Sequence, residues 1–218
     1  ISPDLFNHFL LTRAVFMNLE ELGPALPSLE RVLCGVDPSP ELKAAYKALD
    51  DELDEAIKSK ACGNGPPALA AIKVKCTDAF LDRPYDWNPI TAPYYNDLGE
   101  REGNVVVATP RNLDGGHLDT KDEKLLEIVK SELAQGRRCG VYVTFVGDHD
   151  VRPKLFAMLK GEGIKAAILP DTVTPEKREA WIDDHIEDFD VLLIQPRRVM
   201  TGLDLIQFPT LIWYQLGY

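Results

Sequence analysis

The chain reads as an α/β protein: a parallel sheet flanked by helices, preceded by an all-helical segment. Three observations predict this. Short apolar runs of strand length stand at residues 105–107, 140–145, 165–169, 191–194 and 211–214. Amphipathic stretches of helix length lie between them from 121 to 186. Before residue 100 the apolar residues recur at helical spacing only. Buried strands joined by helical crossovers make a parallel sheet covered on both faces.

Taken in order, Ser2, Pro3 and Asp4 give an N-cap, a proline at the first helical position and an early acid. Phe6, Phe9, Leu10, Val15, Phe16 and Leu19 form an apolar stripe up to Gly23. Ser39, Pro40 and Glu41 repeat the start signal, and Leu42, Tyr46, Leu49, Leu53 and Ile57 carry a second helix to the Gly63, Asn64, Gly65 stop. Pro66 and Pro67 open a third, with Leu69, Ile72, Val74 and Phe80, ending near Pro84. Residues 85–103 hold Pro89, Pro93, Asn96 and Gly99 and read as an irregular connector. The strand at 105–107 then opens the alternating region. A helix over 121–135 is closed by Gly136. Asp150 caps a helix through Leu159, ended by Gly161 and Gly163. Thr174, Pro175 and Glu176 start a helix through Ile186. The chain therefore divides into a helical segment with connector, 1–100, and an α/β lobe, 101–218.

At 218 residues, with 45% hydrophobic and 27% charged residues, the chain can build a core of ordinary size. No apolar run approaches the roughly 20 residues needed to span a bilayer. The net charge of −11 argues against a surface that coats nucleic acid with positive charge. Residues 1–100 hold 9 basic and 16 acidic side chains, net −7, and residues 101–218 hold 15 and 19, net −4. Any nucleic-acid contact is therefore expected in the second half, where amides, helix N-termini and a few arginines can hold a phosphate backbone. Cys34, Cys62, Cys76 and Cys139 lack Cys-x-x-Cys spacing and read as reduced thiols of a cytosolic, cytoplasmic protein.

The run from Asp190 to Asp204 carries the most chemistry. A buried strand passes into a loop with Arg197, Arg198, Thr201, Gly202 and Asp204, and a second apolar run follows. This order resembles motif V of the superfamily 2 helicases, in the second of their two RecA-like domains. The strand from Val141 to Phe145 resembles motif IV. The stretch from Leu155 to Gly163 resembles the helix after it, and the stretch from Asp171 to Arg178 resembles a turn before a helix carrying an arginine. The tail from Ile212 to Tyr218 resembles the strand leading towards motif VI. The spacing is similar to Swi/Snf-type proteins and bacterial DEAD/DEAH-box helicase-like proteins, and residues 22–27 loosely resemble material between their lobes. The firm likeness covers a little over a third of the chain.

The resemblance implies a RecA-like lobe of an ATP-dependent nucleic-acid helicase or translocase, with ATP and Mg as cofactors of the intact protein. It implies that Gly202 lets the loop backbone approach nucleotide phosphates, since glycine has no Cβ, and that Asp204 accepts a hydrogen bond at the nucleotide or from motif VI. Thr144, Thr201, Arg197 and Arg198 become candidates for nucleic-acid contact, with DNA as the partner of residues 137–218. The departures are also plain. The phosphate-cradling Gly-x-x-x-x-Gly-Lys-Ser/Thr loop is absent. Asp51, Glu52, Leu53 and Asp54 imitate the acidic metal box but lie in an amphipathic helix. With Ile as first residue and no motif VI, the chain is expected to be a fragment lacking the first lobe, unable to hydrolyse ATP alone and carrying no bound cofactor or metal.

Each candidate also has a purely architectural reading. Gly202 and Asp204 make a turn and a cap. Thr201 satisfies its own loop. Arg197 and Arg198 pair with Asp183 and Asp184. Phe145 is core, Arg178 anchors its helix, and Asp148, His149 and Asp150 start a helix rather than bind metal. His117 is a loop residue. Two other functions share the strand–helix rhythm: a non-catalytic protein-interaction module with the acidic helices as contact surface, and a nucleotide-sugar-binding lobe of a glycosyltransferase.

Overall fold

The computed structural model describes residues 29–63, 68–147, 149–199 and 205–215. The helix expected over 2–23 and the loop residues Thr201, Gly202 and Asp204 lie outside them. The chain forms two units, 1–35 and 36–218. In the first, residues 29–35 carry no helix or strand.

The second unit opens with α1 (Pro40–Lys58) and α2 (Ala68–Asp82). Ser39 caps α1 as its sequence predicts, its hydroxyl accepting from the Leu42 amide. Leu42, Ala45, Leu49, Leu53 and Ala56 recur every three or four residues and make the buried stripe of α1. Lys73 of α2 bridges Asp50 at 2.8 Å and Asp54 at 2.5 Å, fastening the two helices along their rim.

The connector departs from its sequence reading. It holds β1 (Ile90–Tyr95), which pairs antiparallel with β2 (Arg101–Ala108) in a two-stranded hairpin. In such a hairpin both strands are edges, so Pro93 forfeits no obligatory ladder bond. Asn96 and Gly99, taken as loop residues, make the turn: the Asn96 side chain accepts from the Leu98 and Glu100 amides, and Gly99 has φ 76°. The strand expected at 105–107 thus does not open the parallel sheet. Val106 is 55% exposed while Val107 is buried, the alternation of a half-covered strand. Ile90, Ala92, Val107 and Ala108 share one core with Leu49, Leu53 and Phe80 of the helices.

After α3 (Thr120–Ala134) come β3 (Cys139–Tyr142), α4 (Arg152–Gly161), β4 (Ala166–Ile168), α5 (Arg178–His185), β5 (Val191–Ile194) and β6 (Thr210–Trp213). The four strands form a parallel sheet in the order β4-β5-β3-β6. One face bears Val141 and Leu193 and packs on Leu125 and Val129 of α3 and Leu155 and Leu159 of α4. The other bears Leu192 and Ile194 and packs on Ile182 of α5 with Phe189 and Phe208. A Cβ at Gly140 would stand 2.9 Å from Leu211 Cδ2, so the end of that β6 side chain would have to shift to admit one. No helix among the described residues is long and apolar enough to cross a membrane.

Glu132, in the last turn of α3, ties the N-terminal edge of the sheet. It accepts from Arg137 at 2.6 and 2.7 Å and from the Thr210 hydroxyl. The Arg137 bonds, then the Thr210 bond, hold its carboxyl down at about 2. A depressed folded value stabilises above the ordinary carboxylate range and is lost as pH falls towards the folded value. In urea titrations the stability gap between wild type and Glu132→Gln is therefore expected to be full near neutral pH and to close as pH falls from about 4.5 to about 2. Leu193→Ala, at a fully buried site between α3, α4 and the sheet, is expected to lower the unfolding free energy by about 2–5 kcal/mol in the same assay.

Candidate functional site

Parallel strands leave the sheet on one side, so the loops after β3, β4, β5 and β6 share its C-terminal rim. Two polar clusters occupy that rim.

The first surrounds Asp171, in the turn after β4. Arg152, in the first turn of α4, donates to its carboxylate at 3.1 and 3.3 Å. Arg198, in a 3-10 turn (Pro196–Arg198) after β5, lies 3.3 Å from the same carboxylate and donates to the Asp171 carbonyl at 2.9 Å. The Arg152 bonds hold the Asp171 carboxyl below its ordinary value. Arg152 is also gripped by Asp150, at 2.7 Å from Nη2 and 3.0 Å from Nε. Burial works against the Arg152 charge, but the Asp150 and Asp171 bonds outweigh it and raise its pKa. Arg178 donates to the Val173 carbonyl at 3.3 Å and to the Arg198 carbonyl, joining α5 to the loop after β5. Arg197 lies on the same 3-10 turn as Arg198. Arg152 and Arg198 thus meet at Asp171 at the exits of β3, β4 and β5, with Arg178 bonded to the backbone beside them.

The second cluster is buried where β3 and β6 end. Lys154, 4% exposed, donates to Asp122, 1% exposed, at 2.7 Å and to the Asp82 carbonyl at 3.0 Å. Asp122 also accepts from the Tyr214 hydroxyl at 2.8 Å and from the Asp119 amide at 2.8 Å, the second being half of the capping box that starts α3. Asp82, the last residue of α2, accepts from Lys121 at 2.6 Å and from the Gln215 amide at 2.8 Å. Burial pushes the Asp82 carboxyl up against the pull of Lys121. Burial, then the Asp82 and Asp122 charges, lifts Tyr214 well above its ordinary value.

The sequence candidates fall as follows. Gly202, Asp204 and Thr201 are outside the described residues. The Thr144 amide and hydroxyl donate to the Gln215 side-chain oxygen at 2.9 Å and to the Gln215 carbonyl at 3.1 Å. Phe145 is half-buried against the helical core. Arg198 pairs with Asp171, not with Asp183 or Asp184 as its architectural reading had it. Asp150 is not the N-cap of α4; Val151 holds that position, and Asp150 accepts from the Arg152 amide at 2.9 Å and grips its guanidinium. His149 stacks on Trp87, centroids 3.8 Å apart, and Asp148 lies outside the described residues. His117 closes a turn on Asp114. Asp51 and Asp54 sit on α1, paired with Lys47 and Lys73. Sequence reading missed Asp171, Arg152, Asp82, Asp122, Lys154 and Gln215. Asp171 was legible as the polar residue after an apolar strand. Lys154 was not, because a lysine among Leu155, Met158 and Leu159 reads as the solvated edge of a helix.

A parallel sheet with helices on both faces and its polar groups at the C-terminal rim defines a RecA-like α/β lobe. No family model matches the sequence, and no curated protein does. Among solved structures, the C-terminal domain of the SWI2/SNF2 ATPase of Sulfolobus solfataricus is similar, with TM-score 0.56 and 15% identity over 81% of this chain and 67% of that one. The C-terminal part of the Fun30 ATPase domain aligns with TM-score 0.41 and 16% identity over 50% of this chain and 35% of that one. What this chain shares with the SWI2/SNF2 domain is its fold.

Lys154→Met strips the ammonium from a buried carboxylate. Removing one partner of such a pair is expected to cost about 3–5 kcal/mol in chemical denaturation.

Proposed function

We propose that the chain is the second motor lobe of an ATP-dependent superfamily 2 helicase or translocase of the Swi/Snf kind, and that its C-terminal rim grips the phosphate backbone of DNA. The convergence of Arg152, Arg178 and Arg198 on the rim of a RecA-like sheet, with Arg197 beside Arg198 on the same turn, in a protein of net charge −11, carries this reading. Guanidinium groups match phosphate oxygens in geometry and charge. In this reading Arg197, Arg198, Thr144 and Thr201 serve the nucleic acid, and Gly202 and Asp204 serve the nucleotide.

In the intact motor, ATP and Mg lie between this lobe and the first. The rim's guanidinium groups and loop amides suit one side of a phosphate site. The sequence holds no phosphate-cradling loop, so this lobe alone is expected to show no ATP turnover above background, and a clear rate from the purified chain would refute the assignment.

The direct test is fluorescence anisotropy of a labelled DNA duplex between about 50 mM and about 200 mM salt. Weak binding that falls with salt is expected, and each of Arg197→Ala and Arg198→Ala should flatten the log–log slope by about 1. Binding that ignores both substitutions would place the DNA elsewhere.

A further inference from the structure

Gln215 is uncharged and 2% exposed. Its side-chain oxygen accepts from the amides of Thr144 and Phe145, both at 2.9 Å, and its carbonyl accepts from the Thr144 hydroxyl at 3.1 Å. These amides lie just past the end of β3, where the ladder runs out: the Val143 amide still bonds the Ile194 carbonyl, and the next two bond Gln215. A primary amide can be seated two ways round. Asp82 and the two loop amides select the same one. The Asp82 carboxylate only accepts, so the Gln215 NH2 must face it, at 2.8 Å, and the oxygen must face the loop. Turned over, Gln215 would set its oxygen against a carboxylate and its NH2 against two N–H donors. Lys121, at 2.6 Å from the other Asp82 oxygen, helps keep that carboxylate charged. The loop so fixed runs on to Asp150, which grips Arg152 in the arginine cluster.

We infer that Gln215, oriented by Asp82, is the positioning residue of the rim: it sets the course of the loop after β3 and thereby the arginine cluster. The DNA-binding part of this inference rests on the functional reading above; the positioning part does not. Through Asp82, the last residue of α2, the helical layer holds the loop's geometry.

The test is amide hydrogen exchange by NMR, with DNA anisotropy alongside, on wild type, Gln215→Met, Gln215→Glu and the exchanged pair Asp82→Asn/Gln215→Glu. Gln215→Met keeps the volume and removes the acceptor. It should speed exchange at Thr144 and Phe145 about tenfold, leave Val141 and Leu193 unchanged, and weaken DNA binding several-fold. Gln215→Glu alone sets two carboxylates together and should loosen the same two amides. The exchanged pair restores the donor–acceptor match with the two groups traded. The side-chain amide introduced at position 82 donates its NH2 to the carboxylate introduced at position 215 and keeps Lys121 on its oxygen. That carboxylate still accepts from the loop, so exchange and affinity should return towards wild type. A residue that only fills space would not be rescued by this swap. Unchanged loop amides in Gln215→Met, equal acceleration in loop and core, or an exchanged pair no better than Gln215→Glu would each overturn the positioning role. Wild-type DNA affinity in a protein whose loop is loosened would overturn its link to binding. Absence of DNA binding by wild type would overturn the functional reading alone, since the exchange comparison needs no ligand.

Discussion

The burial of the Lys154 ammonium is the constraint on which the rest of the structure depends. A lysine in an apolar setting is tolerated only when paired and fully hydrogen-bonded. Asp122 supplies the pairing charge and the Asp82 carbonyl a second acceptor, and they come from α3 and from the end of α2. Tyr214 brings β6 to the same carboxylate. One ammonium therefore fixes the relative places of four elements far apart in sequence. The helical layer and the sheet are joined at this point by charge, where each otherwise keeps its own apolar core.

That arrangement shapes where the lobe can be positive. Asp50, Asp51 and Asp54 of α1 are taken up by Lys47 and Lys73, and Glu52 accepts from the Thr109 amide at the end of β2. Part of the acidity of α1 is thus neutralised locally. Positive side chains meanwhile gather where parallel strands end and the backbone ladder leaves polar groups for side chains or a ligand to satisfy. A protein acidic overall can present a basic edge because the field a ligand feels at close range is local, and beyond about 8–10 Å salt screens the remainder.

Much of this was legible in the sequence. The parallel sheet followed from apolar runs at 191–194 and 211–214 separated from others by helical stretches, and α1 followed from Ser39, Pro40 and a clean apolar period. The hairpin was not legible, because Pro93, Asn96 and Gly99 signal both loop and turn, and only the pairing partner distinguishes them. Val105, Val106 and Val107 misled for a related reason: three valines in a row say strand, but not whether one face or two will be covered. At the rim, Arg197, Arg198 and Thr144 were marked by their place after strands, whereas the partner of Arg198 was misjudged. Asp171 is close in space because β4 and β5 are neighbours, a fact of sheet order that spacing along the chain does not encode. Lys154 and Gln215 were invisible for the same reason, since their meaning lies in contacts 32 and 133 residues away.

The two rim clusters differ in what a ligand could displace. In the buried one, Asp122 and Asp82 have their oxygens occupied and almost no solvent, so freeing a charge there costs several kcal/mol and no polyanion can compete for it. In the open one, Asp171 is 52% exposed and shares two arginines. An exposed ion pair of this kind contributes about 0–1 kcal/mol. A backbone phosphate would offer Arg198 two oxygens and one negative charge, as the carboxylate does, so exchange of partners would cost little on the protein's side. Arg152 does not need to move, because Asp150 keeps its hold from the other side. The buried cluster is therefore the frame, and the Asp171 cluster is the part of the rim whose ion pairs can be exchanged without unfolding anything.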